Sequence, residues 1–279
     1  MRDRILITGG TGKTGRRVAQ KLRQQNVQTL VASRSAKGPD TVRFDWSDTT
    51  TFDSAFDGIS AIYLVAPSNV AEPLAAMTPF LERALDTGVE RFVLLSASSL
   101  EEGGPMMGAV QAWLRRHAPR WVVLRPTWFM QNFSEQQHLP TILEEGVIYS
   151  ATGDGRVGFI DAEDIAATAA QALTAPDFPN GDVILTGPES LSYDDIATVI
   201  SSASGRRVRH RRLTEQELAD RLQAGGMAEN YARVLAAMDT AIAQGAEDRL
   251  TDGVWRATGR APERFIDFAA REAACWKKD

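Results

Sequence analysis

Cysteine is almost absent: Cys275 stands alone in 279 residues, so no internal disulfide can form and no cysteine-based zinc site can be built. Histidine is nearly as scarce, and positions 117, 138 and 210 are too few and too scattered for a histidine-rich metal site, so no metal is expected. Long hydrophobic runs are missing too. The longest clean one, Ala61 to Ala66, is strand-sized and far short of the roughly 20 residues of a membrane helix. A strand-like pattern is under way by Arg4, leaving no room for a cleavable signal, and a cytoplasmic protein without membrane partners is expected. Positive charge is not in excess: 31 Lys and Arg against 36 Asp and Glu give a net charge of −5, which excludes a global field for nucleic acid. Repeats and Pro/Ser-rich linkers are lacking as well. What remains is ordinary globular composition, 43% hydrophobic and 24% charged, in a chain long enough for one large domain or two modest ones.

Short continuous apolar runs recur at Ile5 to Ile7, Leu30 to Ala32, Ala61 to Ala66, Phe92 to Leu95 and Trp121 to Leu124. They read as strands buried on both faces. Helix-sized stretches separate them, over 14–25, 70–87 and 108–117, with apolar residues at three- and four-residue steps such as Val18 and Leu22. Strand alternating with helix predicts an α/β fold with a parallel sheet. Beyond Pro126 the texture becomes aromatic and then, from Ser192, largely helical. Ser192-x-x-Asp195 and Thr214-x-x-Glu217 are capping boxes, and Pro262 is expected to start a last amphipathic helix. The two parts are expected to be fused side by side, sharing a cleft, rather than tethered.

Between the first strand and the first helix lies Thr8-Gly9-Gly10-Thr11-Gly12-Lys13-Thr14-Gly15. Gly9 suits a tight turn, Gly12 lets the backbone approach a diphosphate, and Gly15 lets helix and strand pack closely. A nucleoside-triphosphate loop is the rival reading of Gly12-Lys13-Thr14. It fails on spacing, because position 7, where that motif needs glycine, is Ile. The second strand ends at Ser33-Arg34-Ser35, where an NAD enzyme normally has a carboxylate for the ribose diol. Arg34, 19 residues beyond Gly15, can instead grip a 2′-phosphate, with Lys37 adding charge, so NADP(H) is favoured over NAD(H). An ordinary solvated arginine is the bland alternative. Further strand ends bring Asp45-Trp46 and Ala66-Pro67 toward the coenzyme; Asp45 reads equally as a turn cap.

Taken together, Thr8-Gly9-x-x-Gly12-x-x-Gly15, Leu124-Arg125-Pro126-Thr127-Trp128-Phe129-Met130-x-Asn132-Phe133, Phe159-Ile160-Asp161-x-x-Asp164-Ile165-Ala166 and Thr186-Gly187-Pro188-Glu189 resemble NmrA-like atypical short-chain dehydrogenases/reductases. The resemblance spans nearly the whole chain. Pro126 to Met130 with Gly9 to Thr14 look most like the ergot-alkaloid branch, the festuclavine and agroclavine dehydrogenases, in which NADPH delivers hydride to a cyclic iminium. The resemblance implies a Rossmann-type doubly wound sheet ordered 3-2-1-4-5-6, an NADP(H)-binding domain over 1–130, and a smaller, mostly helical substrate lobe over 131–279 with segments around 147–186 returning to the sheet. It also places Thr8, Lys13, Thr14, Ser96 and Pro126 among the coenzyme contacts. The Tyr-x-x-x-Lys pair of the wider superfamily is missing. Its positions fall near Gly103 and Met107, neither of which donates a proton. Ser98 remains where the superfamily places its catalytic hydroxyl, although three serines also suit a turn.

Without a general acid, reduction of an ordinary ketone loses a factor of roughly 10² to 10⁴. An iminium is already cationic and avoids that loss, because hydride addition only neutralises it. Trp128, Phe129, Met130 and Phe133 are candidate faces for a planar substrate, with Met106 and Met107 as adaptable lining; core packing is the alternative. Asn132 can hydrogen-bond substrate or carboxamide, or merely brace its loop. His138 is an outside catalytic candidate. Asp161 and Asp164 read as helix caps, and the five arginines of 206–212 as an exposed strand charged against aggregation. The expectation is an NADPH-dependent reductase, monomeric or homodimeric, acting on a small cyclic molecule, most readily at C=N. A non-catalytic NADP(H) sensor and a quinone or enone reductase are the alternatives.

Overall fold

The computed structural model describes residues 4–67, 70 and 72–277. In chain order the strands are β1 (Arg4–Ile7), β2 (Gln28–Ser33), β3 (Thr41–Arg43), β4 (Ile59–Leu64), β5 (Arg91–Leu95), β6 (Arg120–Pro126), β7 (Val147–Ser150), β8 (Arg156–Val157), β9 (Gly181–Leu185), β10 (Leu191–Ser192) and β11 (Arg209–Arg212). The α-helices are α1 (Lys13–Gln24), α2 (Pro73–Asp86), α3 (Met107–His117), α4 (Leu139–Glu145), α5 (Ala162–Thr174), α6 (Tyr193–Ser204), α7 (Glu215–Ala224), α8 (Glu229–Ala243), α9 (Gly253–Thr258) and α10 (Phe265–Glu272). Among the described residues no helix is long and apolar enough to cross a membrane.

Two compact units result. The first runs to Pro126 and is completed by Ala162–Leu185 and Gly253–Arg260; the second holds Thr127–Asp161, Thr186–Asp252 and the chain from Ala261 on. The first unit is a seven-stranded sheet in the order β3-β2-β1-β4-β5-β6-β9, parallel throughout. This is the doubly wound fold expected, with β9 added beyond β6. Leu6, Ile62, Leu64, Phe92 and Leu94 meet Phe80, Leu81, Val110 and Leu114 of α2 and α3 on one face. α1 and α5 pack together over the other. Buried Arg91 of β5 donates to the carbonyls of Ala172 and Ala175 at 2.6 and 2.7 Å, satisfying the C-terminal end of α5 with a cation. The returning segment is 162–185 rather than one beginning near 147. β7 instead joins β11 in a separate parallel ribbon.

The second unit also pairs β8 with β10, and gathers Phe133, Phe159, Tyr193, Phe265, Phe268 and Trp276 into one buried core. Both capping boxes form, on α6 and α7. The last helix begins at Phe265 and not at Pro262. Its first N–H is taken by the Glu189 carboxylate, 3.0 Å away and 76 residues distant in sequence, a cap with no local signal.

Candidate active site

The carboxyl ends of β1, β2 and β4 surround a groove of roughly 500 Å³ within the first unit. Gly9, Thr11 and Gly12 form one wall, Arg34 stands at the end of β2, Asp45 and Trp46 follow β3, and Ala66 and Pro67 follow β4. Each glycine of the turn has its own reason. Gly9 takes φ +59°, and a Cβ there would lie 2.9 Å from Val65 Cβ. A Cβ on Gly15 would sit 2.3 Å from the Gly9 carbonyl oxygen, so α1 can approach the turn only without a side chain. At Gly12 the one close neighbour is the Gly9 oxygen at 3.1 Å, and the missing side chain leaves space on the groove side. Gly12 is also the N-cap of α1, with no side-chain cap, and no acidic residue occupies the first turn. The helix itself thus contributes no carboxylate at its positive end.

Asp45 makes the turn that its position suggested and also lines the groove. Its Oδ1 accepts from the Ser47 N–H at 3.0 Å and the Ser47 hydroxyl at 2.7 Å, an Asx-type turn, while the residue still lines the groove. Those two bonds, with Arg34 and Arg43 nearby, hold the carboxyl below its usual range. Trp46 is half-buried and fixed edge-on against Phe44 and Phe80, with centroids 4.8 and 5.2 Å away.

Other expected contacts lie elsewhere. Thr8 is fully buried, accepts from the Val65 N–H at 2.7 Å and donates to the Tyr63 carbonyl at 3.1 Å, so its side chain staples β1 to β4. Thr14 and Gly15 are buried in the first turn of α1, next to half-buried Lys13. Lys37 is exposed and lies outside the described walls of the groove. Ser96 and Pro126 are buried at the ends of β5 and β6.

The catalytic and substrate candidates require corrections. Ser98 has no exposed surface: its N–H donates to the Pro126 carbonyl at 2.9 Å, and its own carbonyl accepts from buried Arg125. Met130 and Phe133 are likewise fully buried. Phe133 is the hub of the second unit's core, within 6 Å of the rings of His138, Phe159, Tyr193 and Phe265. His138, the outside catalytic candidate, is buried and stacked on Phe133. Asp161 is a buried ion-pair partner, accepting from Gln131 Nε2 and Arg271 Nη2, both at 2.6 Å. Trp128, Phe129, Asn132, Met106 and Met107 are half-buried. Asn132 accepts the His138 N–H at 3.0 Å on its backbone carbonyl.

A serine–histidine–aspartate series was not anticipated. Ser150 Oγ lies 2.7 Å from His210 Nε2, and His210 Nδ1 lies 3.5 Å from Asp194. Neither the hydroxyl nor the ring is exposed, and burial pushes the histidine pKa down against the pull of Asp194. The series links β7 to β11 as structure, because no substrate reaches it. Ser150 and His210 meet across the parallel β7–β11 ribbon, and Asp194 comes from the first turn of α6.

The NmrA-like family model matches residues 1–257. The chain belongs to the NmrA-like family. The uncharacterized oxidoreductase YesF of Bacillus subtilis is 45% identical over 98% of this chain and 96% of its own length. Agroclavine dehydrogenase of Claviceps fusiformis is 42% identical over 98% of both chains, so the ergot-alkaloid branch of NmrA-like reductases fits. The Escherichia coli NADPH-dependent quinone oxidoreductase QOR2, solved with NADPH, superposes with a TM-score of 0.80 at 21% identity, covering 96% of this chain and 99% of that one, and shares the fold. The NmrA-like chain is an oxidoreductase by this kinship.

Proposed function

We propose that this chain is an NADPH-dependent reductase of small planar electrophiles, with a cyclic iminium foremost among them. The observation that carries the reading is a guanidinium, Arg34, on the groove wall, together with the glycine and methionine, Gly103 and Met107, at the positions near which the family resemblance puts the superfamily's proton-donating pair. The groove suits the coenzyme: Gly12 leaves room for a diphosphate at the uncapped start of α1, Arg34 offers a two-pronged donor to a 2′-phosphate, and ionised Asp45 offers an acceptor to the adenine amino group. When bound, NADPH supplies hydride.

The residues of the chain then select the acceptor. Tyr63 and Ser98, hydroxyls near the ends of β4 and β5, are fully buried, and burial also pushes the Tyr63 pKa up. With neither exposed, neither is suited to protonate an alkoxide. An iminium needs no proton, and a quinone yields a weakly basic product, so alignment and exclusion of water are sufficient. The half-buried rings of Trp128 and Phe129 are the substrate contacts that this reading retains, since aromatic faces attract cations.

The test is NADPH oxidation by the purified chain with a cyclic iminium, a quinone and a simple cyclic ketone. Iminium turnover exceeding ketone turnover by roughly 10²-fold or more is expected. Equal rates would reveal a proton donor and overturn the substrate assignment. Tight NADPH binding with no turnover of any of the three would identify a redox sensor instead.

A further inference from the structure

A turn in the first unit holds a methionine in a conformation that glycine normally takes. Met106 has φ 56° and ψ −127°, and the Gly108 N–H donates to the Pro105 carbonyl at 3.1 Å. Pro105–Gly108 is therefore a type II′ turn with Met106 at its second position, where a Cβ is strained. Glycine is plentiful here, at 103, 104 and 108, yet position 106 is not one of them.

The surroundings enforce the strain. Arg125 Nη2 donates to Glu101 Oε1 at 2.6 Å and to the Ser98 carbonyl at 2.9 Å, anchoring the start of the loop. The Gly104 N–H returns to the Glu101 carbonyl at 3.1 Å, and the Gly103 N–H reaches the Gly108 carbonyl at 2.8 Å. A Cβ on Gly108 would lie 2.1 Å from the Glu101 oxygen, so the turn is pressed against the loop on that side. Core burial does not compensate. Met107 packs against the apolar core of the unit, whereas Met106 is half-buried and does not belong to that cluster. A strained backbone that presents a partly exposed, adaptable thioether, next in sequence to Met107, where the resemblance puts one member of the proton-donating pair, has the character of a functional site.

We infer that Met106 is a specificity-determining residue, held by the strained turn as an apolar wall against the planar substrate in place of the lost proton donors. The inference rests on the reductase reading above. It makes the side chain, not the turn itself, the selecting element.

Two variants separate these. Met106→Gly removes both strain and side chain, and is expected to raise Tm by about 3 °C while lowering kcat/KM for a planar iminium or quinone on the order of 10-fold. NADPH affinity, measured by calorimetry, should stay unchanged. Met106→Ala keeps the strain and should lose the same activity without the gain in Tm. Wild-type turnover with kcat/KM unchanged in both variants would overturn this inference alone, as would a fall in Tm for Met106→Gly. A wild-type chain that turns over none of the electrophiles overturns the reductase reading, and this inference with it.

Discussion

Arg125 and Ser98 are tied side chain to backbone: the Arg125 Nη2 donates to the Ser98 carbonyl at 2.9 Å while Nη1 holds Asp182 at 2.8 Å. One guanidinium with a side chain only 7% exposed thus joins the end of β5, the edge strand β9 and, through Glu101, the loop before α3. Replacing Arg125 by Met should cost about 2 kcal/mol, chiefly because it strips the buried Ser98 carbonyl of its donor, while the two carboxylates it releases are exposed to water. Lys should recover part of this, lacking the fork that reaches all three partners. Urea midpoints of the two variants check the order.

Arg34→Glu should weaken NADPH by roughly 10- to 100-fold, the loss of a charge-assisted bond plus new repulsion of the 2′-phosphate. NADH, which lacks that phosphate, should bind about as before. Calorimetric titration with both coenzymes checks the difference, and equal weakening would remove Arg34 from the phosphate site.

Gly12 and Gly15 should separate binding from folding. In Gly15→Ala the new Cβ meets backbone at 2.3 Å, so both thermal stability and coenzyme affinity should fall. In Gly12→Ala the nearest atom is 3.1 Å away, so the chain should fold nearly as well while NADPH affinity drops. Paired melting curves and titrations decide.

The glycine turn is legible in the sequence because its constraints are local: three glycines, a preceding apolar strand and a basic residue at the next strand end. The parallel sheet is legible for a similar reason, since strands covered on both faces read as unbroken apolar runs. Ser98, Met130 and Phe133 were not so readable. A serine at a strand end and an aromatic after one look alike whether they face a ligand or the interior, and only packing partners such as Arg125 or Tyr193 distinguish the two. The Asp161 contacts come from Gln131 and Arg271, 30 and 110 residues away, so a helix-cap pattern hides an ion pair.

Asp239 gives a pH signature. It is buried on α8 beside Tyr193, accepting the Ala151 N–H at 3.0 Å, and burial pushes its pKa from 3.8 up to about 6. The folded state then keeps a proton that the unfolded chain releases. This contribution is therefore most favourable below pH 4 and is lost as pH rises to about 6, by up to about 3 kcal/mol. Asp239→Asn, which still accepts the Ala151 bond, should abolish this slope and stabilise the chain at pH 7. Denaturation midpoints between pH 4 and pH 8 for both proteins check it.

β9 and α9 are supplied by residues 181–185 and 253–258, far downstream of the strands they complete. During synthesis, a nascent chain that has emerged as far as β6 exposes that strand as a bare edge until β9 arrives. The helix that packs against β9 follows only after most of the second unit has left the ribosome. The sheet therefore cannot be completed co-translationally from its amino-terminal portion alone, and between the emergence of β6 and that of β9 an unpaired strand edge stands open to wrong partners.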